Sequence, residues 1–260
     1  MVLADSISVG NRIFPGQPTG PVSVSPDAQS VAWAPKVELD SISDRRLPLL
    51  SVSGAKRDVR AVALPGSYAV GLAVSDAGGC ILALVGSSGS PSIRLLRLNG
   101  ASIGASPVDV TNLAKAISLS SVVRLGISGS GRLAVLGSED EFVVLDLSVP
   151  DVVLRSQGRN PSISPAGDRV AFLDRVRGLV VRTLSEDKSV RLLGGVSVSG
   201  TGAWSPDGRF LLLGAFTSLS LQRRLVALDV DVGGICEVAL LPEGDDGSRS
   251  AWISTSLLVA

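Results

Sequence analysis

Apolar residues in this chain fall in short runs bounded by Gly, Pro, Asp or Ser, and helical spacing is scarce. The clearest case is Trp204–Leu213, WSPDGRFLLL: an apolar residue, a turn-forming quartet, then an apolar run. Pro and Asp preset a tight turn and Gly accepts positive φ, so the segment predicts a β-hairpin. One helical turn or two is expected only in Thr111–Val122, TNLAKAISLSSV.

The hairpin pattern recurs. Relatives stand at Val24–Trp33 (VSPDAQSVAW), Val74–Ala83 (VSDAGGCILA), Ile127–Leu136 (ISGSGRLAVL) and Ile163–Phe172 (ISPAGDRVAF), with a degenerate sixth at Trp252–Ala260 (WISTSLLVA). Their leading residues are 50, 53, 36, 41 and 48 positions apart. Units of about 40–50 residues belong to propeller blades or helical arrays, and the local pattern decides for strands. A third strand follows at Ile93–Leu98, Phe142–Leu147, Leu179–Leu184 and Leu225–Val230, and a fourth at Val152–Arg155, Val190–Leu193 and Cys236–Leu241. Four short strands per unit make a propeller blade. The expectation is a single all-β domain over residues 1–260, a six-bladed β-propeller, with seven blades also open. The sixth copy supplies two strands only, so Ser6–Val9 and Arg12–Phe14 are expected to join the last blade and close the ring, leaving no raw edge. An open β-sandwich with coincidental turn signals is the alternative.

These copies resemble the TolB-type, WD-like propeller repeat, whose hallmark is a Ser-Pro-Asp-Gly hairpin followed by an apolar strand. The resemblance is strongest at Ser205–Pro206–Asp207–Gly208, good at Ser25–Pro26–Asp27 and Ser164–Pro165, and weak elsewhere. It implies a fold rather than a function, since its members include periplasmic scaffolds, propellers attached to peptidases and purely structural modules. The Gly-His and Trp-Asp dipeptides of eukaryotic WD repeats are absent.

Composition narrows the chemistry. The chain has no histidine, so a Ser-His-Asp triad or an imidazole metal site cannot be built from it. No GxxxxGK[ST] phosphate loop is present. Nine aromatic residues are poor material for sugar platforms or nucleobase stacking. Twenty-four basic residues balance 24 acidic ones, giving no global field for nucleic acid. No apolar run is long enough to insert in a membrane. The start, MVLADSISVG, lacks a basic n-region and an apolar h-region, so a cytoplasmic location is expected. A periplasmic one is the alternative if a signal was removed. Cys80 and Cys236 are expected as reduced, buried strand residues. Trp33, Trp204 and Trp252 are expected in the core. In DVDVGG (Asp229–Gly234), Asp229 matches Asp146 at a strand end, so a turn cap is expected ahead of half a calcium loop. No cofactor and no metal is expected.

The remaining candidate is an interaction surface. Propellers have two faces, one bearing the A–B and C–D turns, the other the B–C and D–A loops. Sorted this way, Asp44, Arg45 and Arg46, then Asp174, Arg175 and Arg177, then Arg223 and Arg224 fall in B–C loops. Arg159 falls in a D–A loop, and Glu243, Asp245 and Asp246 in the next but one. The longest loops, Pro35–Arg46 and Thr111–Val122, are assigned to the same face. Arginine favours protein contacts because its planar fork pairs bidentately. The expectation is a non-enzymatic subunit binding other protein subunits through this loop face. A ligand-binding or hydrolytic central channel is the alternative from another class, and a periplasmic TolB-like scaffold a third.

Overall fold

The computed structural model describes residues 2–3, 6–9, 12–15, 21–34, 46–53, 56–63, 67–87, 90–100, 106–149, 151–174, 178–186, 188–192, 197–217 and 220–240. Three short strands, β1 (Val2–Leu3), β2 (Ser6–Val9) and β3 (Arg12–Pro15), form an N-terminal meander. Two strands are expected there from the sequence; β1 is an addition. Five four-stranded antiparallel sheets follow.

Sheet 1 holds β4 (Val22–Val24), β5 (Ser30–Trp33), β6 (Arg46–Ser53) and β7 (Lys56–Ala63). Sheet 2 holds β8 (Ser67–Val74), β9 (Cys80–Ser87), β10 (Ser90–Asn99) and β11 (Val108–Asp109). Sheet 3 holds β12 (Arg124–Ile127), β13 (Leu133–Gly137), β14 (Glu141–Asp146) and β15 (Asp151–Gln157). Sheet 4 holds β16 (Arg159–Ile163), β17 (Arg169–Asp174), β18 (Gly178–Thr183) and β19 (Lys188–Leu192). Sheet 5 holds β20 (Ser197–Trp204), β21 (Phe210–Thr217), β22 (Ser220–Asp229) and β23 (Ile235–Leu240). Their first strands lie side by side in the order β4, β8, β12, β16, β20, as blades do around an axis.

Period-2 alternation explains why each sheet is apolar on both faces. In β9, Leu82 and Leu84 pack toward sheet 3, whereas Ile81, Ala83 and Val85 pack toward sheet 1. In β13 and β14, Ala134, Leu136, Val143 and Leu145 face sheet 2, and Val135, Phe142 and Val144 face sheet 4. The core is therefore a series of layers between sheets. Phe142 and Phe172 meet across one layer with ring centroids 4.8 Å apart, worth about 1 kcal/mol beyond their area. Trp33 and Trp204 are buried, as expected, and Trp204 Nε1 donates to the Ser162 carbonyl at 3.1 Å, tying sheet 5 to sheet 4. Trp252 lies outside the described residues.

In sheet 2 the outer strand shrinks to two residues, and Thr111–Val122 takes its place as two 3-10 turns, Thr111–Ala114 and Leu119–Ser121. Ala114 and Ile117 from this insertion are buried in the layer between sheets 2 and 3. The helical turns expected there are thus present, as packing elements. Cys80 is buried and reduced, but Cys236 is exposed on the outer strand β23, correcting the expectation of two buried thiols. Ile235 and Glu237 on either side of it are exposed as well, so the start of this outermost strand is open on both sides among the described residues.

Candidate functional site

Each described hairpin closes on the same serine. The N–H groups of Ser30, Cys80, Leu133, Arg169 and Phe210 donate to the hydroxyls of Ser25, Ser75, Ser128, Ser164 and Ser205 at 2.8, 2.8, 3.1, 3.0 and 2.8 Å. All five serines are buried. The fourth residue of each turn donates back to the serine carbonyl, and all five are left-handed there: Gly78, Gly131, Gly167, Gly208 and, without a glycine's freedom, Ala28 at φ 57°. In sheet 2 the left-handed stretch covers Ala77 and Gly78.

Successive turns are bonded to one another. The Asp27 N–H donates to Asp76 Oδ1 at 2.8 Å, and the Ala77 N–H donates back to Asp27 Oδ2 at 3.0 Å. The Asp76 N–H donates to the Gly129 carbonyl at 3.0 Å, and the Gly129 N–H to the Pro165 carbonyl at 2.7 Å. A Cβ at Gly129 would stand 2.1 Å from Asp76 Oδ2 and 3.1 Å from the Pro165 oxygen. The turns of sheets 2 and 3 thus depart from Ser-Pro-Asp-Gly because their second residues donate N–H groups that proline lacks.

Charge on this face is consumed internally. Arg132 places Nε and Nη2 on Asp146 Oδ2 at 2.9 and 2.7 Å, and Arg209 repeats the pair on Asp229 Oδ2 at 2.8 and 2.7 Å. The other oxygens, Oδ1 of Asp146 and of Asp229, accept the N–H groups of Ser148 and Val149, and of Asp231 and Val232. Asp229 is therefore a turn cap, and its carboxyl is held below the ordinary range chiefly by Arg209. Asp146 is held lower still, by Arg132 and Ser148. Sequence reading finds the capping aspartates and misses their arginines; the signal is a Gly-Arg step recurring after the turn with Asp at the end of the third strand. Arg169 bridges sheets, with Nη1 2.9 Å from Asp231 Oδ1.

The opposite face carries the sequence-chosen candidates. Arg159 is exposed at the start of β16, between Gly158 at φ 153° and Asn160 at φ 49°. A Cβ at Gly158 would meet Phe172 at 2.5 Å, so this kink needs glycine. Beside it, Arg124 Nε reaches Asn160 Oδ1 at 3.5 Å, and the Gly158 N–H donates to the Asp140 carbonyl at 2.9 Å. Lys115 and Glu139 are exposed on the same side. Arg46 opens β6, and Arg223 and Arg224 lie within β22, so these three belong to strands and not to B–C loops. Strand β22 starts before its apolar run because pairing with β21 reaches out to Thr217–Ser220, satisfying the backbone whatever the side chains. Arg224 is also ion-paired with Glu237, which removes it as a spare cation. Asp174 ends β17. Arg45, Arg175, Arg177, Glu243, Asp245 and Asp246 lie outside the described residues, as do most of Pro35–Arg46. Among the described residues, no helix is long and apolar enough to cross a membrane.

No protein-family model matches the chain, and no curated protein matches its sequence. Solved structures do match. TolB from Acinetobacter baumannii is similar with a TM-score of 0.56 at 14% identity, over 90% of this chain and 58% of that one. The putative TolB from Agrobacterium tumefaciens is similar with a TM-score of 0.55 at 15% identity, over 88% of this chain and 84% of that one. The chain thus spans less than two thirds of the length of the Acinetobacter protein. At such identities the likeness concerns the fold, which is that of a TolB-type β-propeller.

Proposed function

We propose that the chain is a six-bladed propeller acting as a non-enzymatic protein-interaction scaffold, a subunit that binds protein partners through its B–C and D–A loop face. Burial supports the sixth blade. Leu212 and Leu225 are wholly buried in a cluster turned away from sheet 4, which a further layer of chain accounts for. Closure of the ring by the N-terminal meander belongs to the same reading.

The observation that carries the choice of face is Arg159. A glycine-dependent kink and a left-handed asparagine hold this arginine out into solvent, and backbone strain of that kind gathers at functional sites. On the turn face, by contrast, Arg132, Arg169 and Arg209 are already spent on internal carboxylates. The reading holds equally for a cytoplasmic chain and a periplasmic one.

The test is co-purification from native extract with three forms: wild type, the triple variant Arg159→Glu, Arg175→Glu, Arg177→Glu, and the turn-face variant Asp207→Arg. A stoichiometric partner lost only with the triple variant supports the loop face. Loss only with the turn-face variant places the contact on the wrong side and overturns the assignment. No partner with any form turns attention to a ligand of the central channel.

A further inference from the structure

Each sheet ends on an outermost strand whose far side carries backbone N–H and C=O groups, and such edges invite pairing unless they are short, charged or covered. Three of the five described edges are closed in these ways. Strand β7 carries Lys56, Arg57, Asp58 and Arg60. Strand β11 is two residues long, with the insertion Thr111–Val122 beyond it. Strand β19 carries Lys188 and Arg191 among five residues. Strand β23 exposes Ile235 and Leu240, but its one charge, Glu237, is already paired with Arg224 and sets no direction for a partner. Strand β15, Asp151–Gln157, is different. Among the described residues nothing pairs with its far side, and Val152 and Val153 are exposed, as is Val149 just before it. Pairing with β14 is regular over Leu154–Gln157 and breaks at Val153, a bulge that puts a valine where a guarding charge would stand. Charge is ordered along this edge. Asp151 is exposed at the turn-face end, and Arg155 and Arg159 toward the loop-face end, where the chain leaves through the Gly158 kink. Arg155 holds Glu141 of its own sheet at 3.0 Å, an exposed pair that leaves the guanidinium open to solvent. Among the described residues no carboxylate pairs with Arg159 and no cation with Asp151. The other acids at the loop-face end, Glu139 and Asp140, sit in the turn between β13 and β14, one strand further in, with Lys115 and Arg124 on the same face.

We propose that β15 takes a fifth strand from a protein partner: an extended segment antiparallel to it, acidic where it meets Arg155 and Arg159, apolar over Val152 and Val153, and basic where it meets Asp151. An open row of N–H and C=O groups is matched along its length only by another extended backbone. Antiparallel pairing is the mode of the ladders in all the sheets, and it is the more stable mode per residue. The backbone bonds form along Leu154–Gln157, where the ladder with β14 is regular. The partner's apolar side chains then cover the two valines that the bulge leaves in water, and the charges at the two ends fix direction and register. The 3-10 turn Thr111–Ala114 lies against β14 and β15 and walls the edge on the side of sheet 2. This contact rests on the scaffold reading only in requiring a protein partner. It meets that partner at the rim of sheet 3, and Arg159 joins the rim to the loop face.

The experiment uses the full chain and two labelled synthetic peptides, acetyl-Glu-Glu-Thr-Val-Thr-Val-Thr-Lys-Lys-amide and the same peptide with its charged ends exchanged. Fluorescence anisotropy reads affinity, and hydrogen exchange reads protection of the β15 amides. The first peptide should bind and slow exchange within Leu154–Gln157. The exchanged peptide should bind roughly five- to tenfold more weakly, the worth of two or three exposed charge pairs. Val152→Lys with Val153→Lys should abolish binding, as lysines on an edge do, and Val190→Lys on β19 should leave it unchanged. All three valines are exposed, so neither variant asks the core to move. Arg159→Glu should weaken the first peptide and strengthen the exchanged one. Failure of the first peptide to bind, equal affinity for the two, or binding without protection of β15 overturns the fifth strand. The loop-face reading falls by a different result, a native partner that the Arg159, Arg175 and Arg177 triple variant still retains, so either can fail while the other stands.

Discussion

The hairpins Ser205–Phe210 and Ser128–Leu133 differ at the second and third turn positions, and yet they close identically. The first has Pro206, Asp207 and Gly208; the second has Gly129, Ser130 and Gly131. In both, a buried serine accepts the N–H five residues on and takes the turn's fourth N–H on its carbonyl. The repeat is therefore anchored by serine and by a left-handed fourth residue, while proline and aspartate are free to change. They change where turns touch. Among the described residues no neighbour asks for the nitrogen of Pro206, whereas the Gly129 N–H serves the Pro165 carbonyl and its missing Cβ makes room for Asp76.

Restoring the family pattern should then do the most harm. Gly129→Pro removes the N–H bond to Pro165 and drives carbon into Asp76 Oδ2, breaking the bond that oxygen's carboxylate makes with Asp27. Overpacking costs about 1–3 kcal/mol and the lost hydrogen bond about 1 more. A fall of roughly 6–12 °C in Tm is expected. Pro206→Gly in sheet 5 loses only unfolded-state restriction, about 1 kcal/mol or less. Equal losses at the two sites would sink the contrast between contacting and isolated turns.

Removing the shared anchor should sharpen it. Ser205→Ala strips a hydroxyl that accepts the Phe210 N–H and donates to Asp207, leaving the part-buried Phe210 N–H and the Asp207 carboxylate without it. Ser128 accepts from Leu133 and has only a 3.2 Å contact with Ser130 besides. An unsatisfied buried N–H costs about 1–3 kcal/mol. Denaturant melts should show Ser205→Ala losing more than Ser128→Ala, with both well above the few tenths of a surface change. A neutral Ser128→Ala would mean that the serine is incidental to the repeat.

This contrast also marks how far the sequence can be read. Hairpins announce themselves because Pro, Asp, Gly and an apolar run are all local signals, and five of them lead to the five described sheets. Strand C of sheet 5 is harder: Leu225–Val230 is apolar, but pairing carries β22 back through Arg224 and Arg223 to Ser220, where backbone bonding and not hydrophobicity sets the limit. Arg224 consequently belongs to an ion pair and not to a contact surface. The exposure of Cys236 comes with its place at the start of the outermost strand, where Ile235 and Glu237 of the opposite parity are exposed as well. Asp27 and Asp76 stand 49 positions apart, and only the placing of two turns side by side makes them a pair. What is local in the chain is legible; what depends on neighbouring blades is not.

The smallest effect concerns the fourth turn position, which separates sheet 1 from sheet 5. Ala28 occupies the left-handed conformation at φ 57°, and Gly208 the same conformation at φ 71°. An L-residue with a Cβ pays for that region, through crowding of the Cβ against its own carbonyl, by roughly 1 kcal/mol. Glycine relieves it but brings a more flexible unfolded chain, which returns part of the gain. Ala28→Gly should therefore raise stability by a few tenths to about 1 kcal/mol, one of the uncommon sites where glycine replaces alanine to advantage. Gly208→Ala should lower stability by a similar amount. Its new Cβ would meet nothing nearer than Pro165 at 3.8 Å, so the loss would be conformational and not steric. Opposite signs in paired chemical melts support a common turn geometry in the two sheets. If Ala28→Gly destabilises instead, the alanine must be held by the Asp27–Asp76 joint beside it, and the first hairpin is then set by its neighbour and not by its own turn.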